Sequence, residues 1–76
     1  MALPDMEKEL ASAIDLLDVL ALQTTRQYGV WDVPNFSQQS RRIANRALVD
    51  TRFSSHDDWR KGFRVASQML RKKLKS

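Results

Sequence analysis

The chain has no cysteine, which excludes a disulfide framework and thiolate metal sites and leaves the redox compartment undetermined. It has a single histidine, His56, which cannot form a histidine metal series and whose expected place just inside the third helix suits an exposed or capping role rather than catalysis. Glycine and proline occur only twice each, too few for a turn-rich fold and consistent with a few long elements. There is no Gly-rich phosphate loop, no nucleophile motif and no spaced set of metal ligands. Asp15 and Asp18 share a helix edge but lack the further oxygen ligands a cation needs. These absences predict a protein that is not an enzyme and that uses no metal or cofactor. No apolar run approaches the roughly 20 residues needed to span a bilayer. Met1 is followed by Pro4, Asp5, Glu7 and Glu9 rather than by a basic start and an apolar run, so the expected location is cytoplasmic.

What is present is an apolar share of 42% in seventy-six residues. That is enough for one small domain near the lower size limit for independent folding, which keeps self-association in view. The pattern predicts an all-α, compact three-helix bundle with helices over about 5–28, 36–49 and 56–74. Met6, Leu10, Ala13, Leu17, Leu20, Ala21 and Tyr28 recur at helical steps, with a start near Pro4 and a left-handed stop at Gly29. Ile14, Leu16, Val19 and Leu22 lie partly off that line, so the first helix is expected either to pack between two neighbours or to offer a homodimer seam. The segment Gly29–Asn35 is too apolar for a flexible tether, and Val30, Trp31, Val33 and Phe36 are expected to cover one end of the core. Asn35 and Ser37 are alternative caps for the second helix, and Ser55 with Asp58 marks the start of the third.

Charge is the most uneven property of the chain. Before Asn35 there are two cations against six acids, net −4, and from Asn35 onward eleven cations against three acids, net +8. Concentrated positive potential attracts polyanions. On the second helix Gln38, Arg41, Arg42, Asn45 and Arg46 share one face, and on the third Arg60, Lys61, Arg64, Gln68, Arg71, Lys72 and Lys75 lie opposite the apolar line. Arginine forks suit phosphates or guanine edges, lysine supplies positioning charge, and side-chain amides can read adenine.

The reading is a small regulatory or accessory nucleic-acid-binding protein, with DNA favoured over RNA. The second and third helices are candidates for a helix-turn-helix, although the polar connection between them is long for that motif and lacks glycine. About five phosphate contacts would lower affinity roughly 500-fold between 50 and 200 mM salt. The competing expectation is a protein-binding regulator whose cationic faces dock on an acidic surface, with Tyr28 and Trp31 as apolar anchors. A membrane-surface role for the third helix is disfavoured because its apolar line is needed for the core.

Overall fold

The computed structural model describes residues 4–52 and 59–75, with side chains from Met6 onward. Three helices, α1 (Pro4–Ala21), α2 (Gln38–Asp50) and α3 (Trp59–Lys75), all touch one another, and α1 meets α3 most extensively. This is an all-α three-helix bundle. The core is assembled asymmetrically. From α1 come the large side chains Ile14, Leu16, Leu17 and Leu20, all essentially buried. From α2 come Ser40, Ala44 and Ala47, a line of small residues at i, i+4 and i+7. Buried positions on α3 mix Gly62, Ala66 and Ser67 with Phe63 and Leu70. Small faces on two helices let both approach a leucine-rich third, which is why α1 spends its apolar surplus inside the bundle. Of the residues expected to form a dimer seam, Ile14 and Leu16 are buried, and only Val19 and Leu22 remain exposed.

Each buried hydroxyl is satisfied by an acid of α1. Ser40 donates to Glu9 Oε2 at 2.7 Å, and Ser67 donates to Asp18 Oδ1 at 2.7 Å. A buried hydroxyl without a partner costs on the order of 1–3 kcal/mol, so the two acids fix where α2 and α3 sit along α1. Ser37 is the cap of α2: its Oγ accepts from Ser40 N at 3.1 Å and donates to Glu9 Oε2 at 2.6 Å. Between the alternatives Asn35 and Ser37, the serine does the capping. Because α2 has no acid in its own first turn, Glu9 also supplies the negative charge that a helix N-terminus favours.

The first helix stops at Ala21, seven residues short of the expected Tyr28. Bonds from Leu22 N to Val19 O and from Gln23 N to Leu20 O tighten its last turn. The Gln23 side chain then takes over as the organiser of the loop. Its Nε2 donates to the carbonyls of Leu20 and Tyr28, and its Oε1 accepts from the amides of Gln27 and Tyr28. The following Thr24–Thr25 pair, β-branched and poor in helix propensity, does not compete for helix. Tyr28 therefore lies on a loop, half exposed.

Gly29 does not take the left-handed cap. Its φ is not positive; instead its amide donates to Asp32 Oδ2 at 2.8 Å, while Asp32 N donates to its carbonyl at 3.1 Å. Among the described residues, the left-handed positions are Asn35, at φ 72°, and Arg52, at φ 57° beyond the Thr51 cap of α2. The turn at Gly29–Asp32 buries Val30 and leaves Trp31 52% exposed, correcting the expectation that Trp31 covers the core. Val33 and Phe36 do pack against it. The proposed Ser55–Asp58 start of the third helix, His56, and the turn that a helix-turn-helix would require all fall outside the described residues.

Candidate nucleic-acid interface

α3 carries seven cations and no acid. Its apolar side is fixed by Phe63, Ala66 and Leu70 in the core, so the residues half a turn away must face solvent. Arg60, Lys61, Arg64, Gln68, Arg71, Lys72 and Lys75 are all exposed. Two of them have evident local tasks. Arg71 places Nη2 2.6 Å from Asp18 Oδ2 and Nε 3.4 Å from Ser67 Oγ, closing a three-residue link between α3 and α1. Both partners are about half exposed, so the pair is screened and contributes less than a buried bridge would. Arg60 stacks its guanidinium 5.3 Å from the Trp59 ring centroid, and Trp59 meets Phe63 edge-on at 6.5 Å. That stack pre-sets the direction of Arg60 without consuming its hydrogen-bond donors. Arg64, Lys72 and Lys75 form no ion pair among the described residues. Lys72, Lys73 and Lys75 also stand in the last turn, where cations complement the helix dipole.

The cations of α2 are arranged differently. Arg41 turns back onto the preceding loop, donating Nη1 to Trp31 O at 2.6 Å and Nε to Phe36 O at 3.1 Å. It is a loop tether, and this explains how an apolar loop holds its shape. Arg46 pairs with Asp50 at 3.4 Å in an exposed i, i+4 contact. Gln38 and Arg42 are exposed, and Asn45 is half-buried.

The structure brings Arg42 and Arg46 together with Lys73, on the walls of an open groove of about 740 Å³ between the three helices. Arg60, Lys61, Arg64, Gln68, Arg71, Lys72 and Lys75 do not line that groove. Lys73 was missed because the expected stripe was followed along one side of α3. It lies half a turn from Arg64 and one turn on from Met69, a spacing that marks the α2-facing edge. Acids interrupt the groove as well: Glu7 and Glu9 come from α1 and Asp50 from α2. Hydrogen bonds from Ser37 and then Ser40 hold the Glu9 carboxyl below its ordinary range, with a smaller contribution from nearby Lys8.

Among the described residues, no group of three or more acids, histidines or cysteines is placed to hold a metal ion, and no helix is long and apolar enough to cross a membrane. No protein-family model, curated protein or solved structure matches the chain.

Proposed function

We propose that the chain is a small accessory or regulatory protein that holds nucleic acid, duplex DNA in the first instance, through phosphate contacts on the outward face of α3. The observation that carries the reading is a helix with seven cations and no acid, whose outward face stays exposed while acids Glu9 and Asp18 of α1 are engaged in internal bonds. Arg60 to Lys75 spans about 22 Å at ~1.5 Å per residue, a length along which one DNA strand offers roughly six phosphates. Arg60, Arg64, Lys72 and Lys75 are the principal contacts. Gln68, on the same face, can reach a sugar or base edge, and Lys61 adds charge at the margin. Arg71 contributes less because Asp18 already holds it. Arg42 and Arg46 belong to a separate surface.

Four phosphate contacts, rather than five, imply a salt slope near −3.6 and an affinity loss of roughly 150-fold between 50 and 200 mM salt. Fluorescence anisotropy with a labelled duplex at several salt concentrations measures this. Arg64→Glu and Lys72→Glu should each flatten the slope by about one contact or more. Absence of binding at low salt, or affinity indifferent to salt, would refute the reading.

A further inference from the structure

We propose that the groove between the helices seats one amphipathic helix of a partner protein, about three turns long and acidic along the flank that faces α2. The proposal stands on a surface other than the outward face of α3 and does not depend on nucleic-acid binding. Its dimensions are the first argument. Gln39, Arg42, Ile43, Arg46, Ala47 and Asp50 line the groove at i, i+3, i+4, i+7, i+8 and i+11, so it runs for three turns of α2, roughly 16 Å. The groove is open along that length and measures about 740 Å³.

Its chemistry is the second argument. The floor is apolar, and its edges are left open: Met6 is 64% exposed and Leu74 is 38% exposed. Of the three methionines in the chain, Met6 and Met69 both line this groove, and flexible thioethers are suited to moulding against a partner's side chains. A helix face with apolar residues at i, i+3, i+4 and i+7 fits such a floor.

Charge then orients the occupant. On the α2 wall Arg42 makes no ion pair among the described residues, while Arg46 is shared with Asp50 in an exposed contact. On the α1 wall the Glu9 carboxylate already accepts two serine hydroxyls, so its call on an incoming cation is weakened, whereas Glu7 is exposed and favours a cation on the flank that faces α1. The complementary helix is therefore acidic beside α2, opposite Arg42 first and Arg46 one turn on, and carries its cations on the other flank.

The test is a display selection of random helical peptides of about fourteen residues on the immobilised full chain, followed by amide-shift mapping of the enriched peptides on isotope-labelled protein. The expected winners carry the apolar i, i+3, i+4, i+7 pattern with Glu or Asp along one flank, and shift Leu10, Ile43, Ala47 and Leu74. Arg42→Glu should weaken a selected peptide about tenfold, and selection on that variant should enrich Lys or Arg instead. Arg64→Glu should leave peptide binding unchanged while reducing binding of the duplex, separating this proposal from the DNA reading. The proposal is overturned by failure to enrich any peptide, by winners without the acidic flank, or by shifts confined to Arg60 and Arg64. Saturable binding of decanoate in the groove with no peptide enriched would also overturn it, in favour of an acyl anion.

Discussion

Replacing Leu17 by alanine removes a side chain with no exposed surface from the hydrophobic core, on the C-terminal part of α1. The lost transfer energy is about 2.4 kcal/mol for three carbons at ~0.8 kcal/mol each. A residual cavity adds to this, so the total should fall in the ~2.7–5 kcal/mol range of buried Leu→Ala changes. A chain of this length holds about 4–11 kcal/mol in all, at ~0.05–0.15 kcal/mol per residue. Leu17→Ala should therefore take a large part of the stability and lower Tm by roughly 10–40 °C. Leu22→Ala is the informative partner. It lies five residues on, one position past the end of α1, and is 80% exposed. Its cost should stay within about 0.5 kcal/mol. Tyr28→Ala, at a half-exposed loop position, should likewise cost far less than Leu17→Ala. Urea melts followed by circular dichroism give all three values. If Leu22→Ala or Tyr28→Ala costs as much as Leu17→Ala, α1 continues beyond Ala21 and the reasoning fails.

Other consequences follow from the loop, the caps and the carboxylates. Arg41→Lys cannot serve the Trp31 and Phe36 carbonyls with one planar fork, so it should cost about 1–2 kcal/mol in a denaturant melt while leaving DNA affinity within twofold. Arg52→Gly should stabilise by roughly 0.5–1 kcal/mol, since it removes the left-handed strain at φ 57° and gives back part of the gain as unfolded-chain entropy. The Glu9 carboxyl is held lower in the folded chain than in the unfolded one, so its contribution is complete above about pH 4.3. It is lost as pH falls through the folded value, because the unfolded state takes the proton first. The difference in urea midpoint between the natural chain and Glu9→Gln should therefore hold steady down to about pH 4.3 and shrink below it; a difference that stays constant as the pH falls further would contradict the assignment.

Fold class, the number of helices and most of the core were legible because periodicity depends only on side-chain spacing. Phe63, Ala66 and Leu70 face inward where the wheel places them, and Leu17 and Leu20 do the same on α1. The end of α1 was not legible. Gln23 is a good helix former, and its role comes from four side-chain bonds that exist only once the chain has turned. Glycine misled for a related reason: an Asp32 side chain closes the turn at Gly29, while Asn35 and Arg52 carry the positive φ values. Basic residues were easy to find but hard to sort. Arg41, Arg46 and Arg64 look alike in sequence. One tethers a loop, one pairs with Asp50 on a groove wall, and one faces solvent. That division depends on long-range contacts, as does the pairing of Asp18 with Arg71.

The outward face of α3 is most directly tested by titrating a short DNA duplex into isotope-labelled protein at low salt and following every amide and arginine side-chain signal. The account predicts shifts centred on Arg60, Arg64, Gln68, Lys72 and Lys75 that collapse as salt is raised, with Leu10, Ile43 and Ala47 of the groove undisturbed. Shifts centred on the groove or on α1, or none at low salt, would contradict it.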